Sequence, residues 1–281
     1  MKITVFILML SLFPTMMTFA DDTPRYVTAI SPTPVLNTPE FHKFFSGSFR
    51  LDPCVGVRPV EFVALTGTLF RVEGERQDHG VTIYRVTSSD YPYRSKTGFF
   101  VDARFVKEVA GGPHERTRTL PELEVVQQRL LAAVGKPYVW GGNVKEGVPL
   151  LRELYPQGDP LAGVDCSGLL YQATDGFTPR NTSALTSYGE AVRVAGLSAD
   201  QIAQRLKPLD LIVYKGHVMI VLDDSSIIQS TMGCGGGAMG VHLSEIRETL
   251  RHLMKRRQPV DLFPSGAAGA KSFVVRRWFS R

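Results

Sequence analysis

The 281-residue chain has little cysteine: three residues, Cys54, Cys166 and Cys234. None belongs to a CxxC pair or to a Cys/His set at zinc spacing, so a structural zinc site has no ligands to draw on. The run Gly233-Cys-Gly-Gly-Gly237 lacks the Lys-Ser/Thr ending of a phosphate loop and reads as a flexible loop. No apolar stretch reaches the roughly 20 residues that a membrane-spanning helix needs. No internal repeat is apparent. These absences leave no expectation of a cofactor, a metal, a membrane span in the mature chain or a repeat architecture.

What is present is globular composition, 43% hydrophobic and 21% charged, with a formal net charge of +5 and a pI near 9.1. That balance suits an anionic surface such as the cell envelope as well as it suits nucleic acid. The N-terminus narrows the setting. Lys2, an apolar run from Ile3 to about Met17 and Thr18-Phe19-Ala20 before Asp21-Asp22 have the order of a secretory signal peptide over residues 1–20. Export to the periplasm, the cell envelope or beyond is therefore expected. No cysteine stands at the cleavage point to carry a lipid. In an oxidising compartment an odd number of cysteines leaves at least one thiol unpaired. Whether Cys54 and Cys234 pair is left open.

Residues 21–48 read as an extended lead-in. Residues 49–112 change to short runs of β-branched and aromatic residues, among them Glu61–Leu65, Thr68–Glu73, Val81–Val86 and Gly98–Asp102, punctuated by glycines. That pattern predicts a small all-β barrel. Gly67-Thr-Leu-Phe-Arg-Val and Lys96-Thr-Gly-Phe-Phe-Val-Asp resemble bacterial SH3-like domains. After a linker at Gly111-Gly-Pro113, residues 113–281 form a second, α+β domain. It opens on a helix over Pro121–Val134 and closes on a strand near Lys271–Phe279.

The chemistry concentrates at Gly163-Val-Asp-Cys-Ser-Gly-Leu-Leu-Tyr171. Asp165 is a helix N-cap and Cys166 falls in the first turn, where free backbone N–H groups and the dipole are expected to lower the thiol pKa and to hold an oxyanion. A thiol nucleophile needs a base. His217 follows a Lys-Gly turn between two apolar runs, at the start of the second strand of a hairpin. Gln229 lies on the next strand-like run and, if the strands pair antiparallel, can bond the second ring nitrogen. His42, His79, His114, His242 and His252 have no such strand setting; His242 is the nearest competitor.

Four motifs in order, Gly135-Lys-Pro-Tyr-Val-Trp-Gly-Gly142, Asp165-Cys-Ser-Gly168, Leu209-Asp-Leu-Ile-Val-Tyr214 and Gly216-His-Val-Met-Ile-Val221, resemble the NlpC type of cysteine peptidases that cut peptidoglycan stem peptides. The resemblance spans roughly residues 120 to 230 and implies a papain-like fold, a Cys-carrying helix packed on an antiparallel sheet carrying the His. It implies Cys166, His217 and Gln229 as catalytic residues and Tyr138, Asp165 and Ser167 around the substrate. The implied reaction is cleavage of the γ-D-glutamyl to diaminopimelate or Lys amide. In relatives with an SH3-like domain the Asp receives a free L-Ala amine, and Glu61, Glu73 and Tyr93 are first-domain groups that would meet one. Three departures stand out. The stretch 143–161 is long and reads as a short lid helix near the pocket; the Arg-Thr-Ser element appears as Arg180-Asn-Thr-Ser183; and Pro-Gly-Asp-Leu appears as Pro208-Leu-Asp-Leu211. A cell-wall peptide-binding module without strong catalysis and a Cys-His hydrolase of another acyl substrate are the competing readings.

Overall fold

The computed structural model describes residues 24–47, 51–52, 54–55, 57–109 and 113–279. The signal peptide and most of the expected linker lie outside the described residues.

The N-terminal half is built from seven strands: β1 (Tyr26–Ala29), β2 (Thr33–Leu36), β3 (Val60–Ala64), β4 (Leu69–Asp78), β5 (Val81–Thr87), β6 (Phe99–Asp102) and β7 (Val106–Glu108). Their order in one antiparallel sheet is β3-β2-β6-β5-β4-β1-β7. The all-β character matches the expectation. The end strands β3 and β7 are not paired with each other among the described residues, so no closed barrel forms. The segment read as a lead-in is extended but is not peripheral: β1 sits between β4 and β7, and β2 between β3 and β6. β4 also runs past Glu73, because its far half pairs with β5 as a ribbon whose β4 side chains are mostly exposed, while Ile83 on β5 is fully buried. The ribbon turns at His79-Gly80, both at positive φ (49° and 79°), the geometry of a two-residue hairpin turn that follows strand twist.

The second half contains β8 (Asn143–Val144), β9 (Gly163–Val164), β10 (Glu190–Val192), β11 (Leu211–Tyr214), β12 (His217–Val221), β13 (Ser226–Met232), β14 (Met239–Glu245), β15 (Gln258–Pro259) and β16 (Ser272–Arg277). β8 pairs only with β9, and the main sheet runs β10-β16-β11-β12-β13-β14, antiparallel throughout, with β15 added parallel to β16. The strand expected at the C-terminal end is thus an inner one, and Phe273, Val274 and Val275 on it are fully buried. The described residues also hold seven α-helices, α1 (Phe41–Phe45), α2 (Leu123–Leu131), α3 (Pro149–Leu154), α4 (Cys166–Ala173), α5 (Thr182–Leu185), α6 (Ala199–Ala203) and α7 (Ile246–Met254), and two short 3-10 helices. α2 buries Val126 and Leu130 against α4, and α4 buries Leu169 and Leu170 against the sheet residues Val218, Ile220 and Ile228. None of these helices is long and apolar enough to cross a membrane.

The long stretch 143–161 does form a helix, α3, but it is not a lid over the pocket. Val148, Leu151, Tyr155 and Leu161 enter one buried cluster with Phe41, Phe44, Phe45 and Phe105 of the first half. Asn143 mimics a strand partner, its amide accepting from Val63 N–H at 3.0 Å and donating to Val63 C=O at 2.8 Å. The Tyr155 hydroxyl donates to Asp102 at 2.9 Å. The insertion therefore welds the two halves together. Leu151→Ala, which opens a cavity at this fully buried weld, is expected to cost about 2–5 kcal/mol, read from the urea midpoint.

Cys54 and Cys234 form a disulfide across a separation of 180 residues, tying the segment before β3 to the β13–β14 turn, while Cys166 is the free thiol. A bond closing so long a loop stabilises by about 5 kcal/mol in the chain-entropy account. Both ends are exposed. Treatment with reductant, or Cys54→Ser/Cys234→Ser, is expected to lower the thermal midpoint by several degrees, and an unchanged midpoint would contradict it.

Candidate active site

Cys166 is the first residue of α4, and Asp165 caps that helix by accepting the Gly168 N–H at 2.6 Å. The Asp165 carboxylate does more than cap. Arg180 grips both its oxygens, Nη1 to Oδ1 at 3.0 Å and Nη2 to Oδ2 at 2.7 Å, while Ser167 Oγ and Gly141 N–H donate to it at 3.1 Å each. Arg180 is 3% exposed and extends the network to Asn143 Oδ1, Gly142 C=O and Ser167 Oγ. Asp165 and Ser167, assigned by resemblance to the substrate, thus lie at the cavity wall with their polar atoms engaged by a buried cation. The sequence assigns Arg180 no role at the site; it is the residue that fixes the Asp165 cap of α4. The only signal for it was its place in the Arg180-Asn-Thr-Ser183 element.

The thiol of Cys166, 5% exposed, faces the beginning of β12. Its Sγ lies 4.0 Å from the carbonyl oxygen of Gly216 and 3.8 Å from the Thr182 hydroxyl, and the Val218 backbone bonds it from the other side of His217. β12 pairs antiparallel with β13, and His217 Nε2 meets Gln229 Oε1 at 2.9 Å. An amide oxygen accepts, so Nε2 carries the proton and Nδ1 keeps the lone pair. Nδ1 is then the nitrogen free to act as base. His242 does lie on a strand, directly opposite Gln229 in β14, with its own Nδ1 3.1 Å from Gly240 C=O.

Electrostatics overturn one expectation. Burial pushes the Cys166 thiol up to about 11, and the nearby Asp165 carboxylate adds to the rise, against smaller downward effects of the Val218 backbone, Thr182 and Arg180. The helix start does not make this thiol acidic. The ordinary helix-end effect is about 0.3–1 kcal/mol, and a buried group shifts by up to several pKa units. Burial likewise lowers His217, opposed by the Gln229 hydrogen bond and assisted by the positive charges of His242 and Arg257. Both shifts act in the same sense, favouring the uncharged thiol and the uncharged imidazole over the charged forms.

Cys166 opens onto a cavity of about 700 Å³ whose lining includes Tyr138, Trp140, Asp165, Ser167, Tyr214 and, from the first half, Glu61 and Tyr91. Tyr138 is buried and its hydroxyl stays protonated far above the usual range, through burial and then the Asp165 and Cys166 negative charges. With the Cys166 N–H, for which no acceptor occurs among the described residues, it offers a second donor for an oxyanion. Glu61 accepts hydrogen bonds from Tyr91 Oη at 3.2 Å and Asn37 Nδ2 at 2.9 Å. Glu73 is not at the cavity; it faces Arg85 at 3.9 Å. Tyr93 packs edge-on against Tyr91, behind the wall. Among the described residues no group of three or more His, Cys, Asp or Glu is placed to hold a metal ion.

Comparison with known proteins finds a family match within the second half. Residues 135–250 match the model of the NlpC/P60 family, whose domains act on or bind peptidoglycan. No curated protein sequence matches the chain. Among solved structures, the chain is similar to the peptidoglycan hydrolase RipB from Mycobacterium tuberculosis, at 23% identity over 57% of this chain and 65% of that one, TM-score 0.34. It is also similar to an NlpC/P60 family protein from Bacillus cereus ATCC 10987, at 16% identity over 91% and 63%, TM-score 0.35. A third, RipD from Mycobacterium tuberculosis, described as a non-catalytic NlpC/p60 domain protein, has 22% identity over 44% and 87%, TM-score 0.31. The chain thus spans somewhat under two thirds of the length of the first two. Residues 135–250, which hold Cys166, His217 and Gln229, are the part of the chain that matches the NlpC/P60 family model.

Proposed function

We propose that the protein is an exported cysteine endopeptidase that cuts peptidoglycan stem peptides at the γ-D-glutamyl amide to diaminopimelate or Lys, with Cys166, His217 and Gln229 as its catalytic residues. The observation that carries this reading is the arrangement of Cys166 at a helix start facing the residues on either side of His217, whose Nε2 is held by Gln229. As Cys166 Sγ attacks the amide carbon, Nδ1 of His217 takes the thiol proton; the oxygen charge falls on the Cys166 N–H and the Tyr138 hydroxyl. The imidazolium then protonates the leaving amine, and water, deprotonated by the same nitrogen, releases the acyl group and restores the thiol. The N-terminal half acts as the SH3-like partner domain. It supplies Glu61 to the cavity, a carboxylate suited to the free amine of an N-terminal L-Ala. Asp165 is the poorer acceptor for that amine because Arg180, Ser167, Gly168 and Gly141 already occupy its oxygens.

The raised thiol and lowered imidazole favour one alternative, a wall-peptide binder with little turnover. Defined muropeptides with and without a free L-Ala amine, incubated with the protein and its Cys166→Ser form and read by mass spectrometry, separate the two. Cleavage by the native chain alone, faster with the free amine, is the expected result. Binding of those peptides with no product from either form would sink the peptidase reading.

A further inference from the structure

Lys215 and Gly216 form the two-residue turn between β11 and β12, closed by the pairing of Tyr214 with His217 and by Gly216 at a φ of 82°. That turn sets Lys215 close to the nucleophile: the carbonyl oxygen of the next residue, Gly216, is 4.0 Å from Cys166 Sγ, and successive Cα atoms are only about 3.8 Å apart. Among the described residues, Lys215 is one of four charged side chains lining the cleft, with Glu61, Asp165 and Arg180. Arg180 commits its buried guanidinium to Asp165, Asn143, Gly142 and Ser167, and Asp165 is engaged in return. Glu61 accepts from the neutral Tyr91 and Asn37 and forms no ion pair among the described residues. Lys215 is exposed, and its ammonium makes no hydrogen bond or ion pair among the described residues. The cleft therefore holds one uncommitted cation, and it stands beside the reacting sulfur.

We propose that Lys215 is a specificity-determining residue whose ammonium pairs with a carboxylate on one of the two residues flanking the scissile amide. The four-carbon stem of a lysine carries its charge over the residues on either side of an amide held at Cys166. This inference rests on the stem-peptide reading and deepens it. A γ-linked Glu keeps its α-carboxylate free beside the bond to be cut, and diaminopimelate carries a free carboxylate on the leaving side. Glu61 repels either group while Lys215 attracts it, which gives the cleft a direction for its substrate. Amidation of the paired carboxylate removes its charge and keeps its shape, so a stem peptide amidated there is a poor ligand for this cleft.

The test uses the full chain as Cys166→Ala, which holds peptide without turnover, and titrates three synthetic peptides by calorimetry. They are L-Ala-γ-D-Glu-diaminopimelate-D-Ala, the same peptide amidated at the Glu α-carboxylate, and the same peptide amidated at the side-chain carboxylate of diaminopimelate. At least one amidation is expected to weaken binding by about three- to tenfold. Lys215→Met is expected to weaken binding of the unamidated peptide by the same factor and to abolish that discrimination, and Lys215→Arg to keep it. The amidation whose effect disappears in Lys215→Met identifies the carboxylate that Lys215 holds. Indifference to both amidations, or discrimination undiminished in Lys215→Met, would overturn the proposal and leave the stem-peptide reading standing. No binding of any of the three peptides would overturn both. The amidation comparison needs no substitution at position 215, so it decides the matter even where a variant there fails to fold.

Discussion

Cys166→Ser is expected to lower kcat/KM for stem-peptide cleavage by about four to six orders of magnitude while leaving the thermal midpoint nearly unchanged. Oxygen replaces sulfur in a small buried site, so packing around α4 is conserved. The alkoxide that a serine would need is far less accessible than a thiolate, and His217 is held by the Gln229 amide rather than by a carboxylate that would strengthen it as a base. The same burial shapes the pH response of the native thiol. A free thiol near its ordinary value of about 8.5 stops gaining reactivity toward iodoacetamide just above that pH. In the folded chain the thiol is pushed up to about 11, so labelling of Cys166 is expected to keep rising with pH well beyond 9, and in the denatured chain to level off earlier. A labelling curve with its midpoint near or below 7 would mean a preformed thiolate–imidazolium pair and would reverse the electrostatic account.

The places of Cys166, His217 and Gln229 in the fold were legible because each has a local signature. A capping Asp before an apolar helical run marks Cys166, a Lys-Gly turn between two apolar runs marks His217, and Gln229 follows on the next strand. What was illegible depends on partners distant in the chain. The 15-residue reach from Asp165 to Arg180 follows no helical or strand period, so only the Arg180-Asn-Thr-Ser183 element pointed to the cation that completes the cap. The apolar spacing in 149–155 shows that one face of α3 is buried, and cannot say that the burial is against Phe41, Phe44 and Phe45 rather than over the pocket. β1 and β2 are four residues each, and β2 contains Pro34, so neither shows a strand period long enough to read. The direction of the thiol shift was misjudged because the helix end is visible in sequence and depth of burial is not.

Arg180→Met is expected to destabilise the fold by about 3–5 kcal/mol, a fall in thermal midpoint of roughly 6–20 °C, and to disable the site along with it. Removing the guanidinium leaves the Asp165 carboxylate, 8% exposed, with neutral donors alone, and leaves Asn143 Oδ1 and Gly142 C=O without their Arg180 bonds. Arg180→Lys keeps the charge but not the fork. One ammonium cannot span both Asp165 oxygens and Asn143 together, so an intermediate loss is expected. The double variant Asp165→Asn/Arg180→Met removes the unpaired buried charge and is expected to recover part of the stability of Arg180→Met, a coupling that a double-mutant cycle measures directly. Activity should not recover with it. An Asn at position 165 still caps α4 but without a second buried charge to lock its orientation, and Cys166 is the next residue along. A single Arg180→Met variant within about 1 kcal/mol of the native chain would show that solvent or Ser167 satisfies Asp165. The cap of the nucleophile helix would then be held by something other than this ion pair.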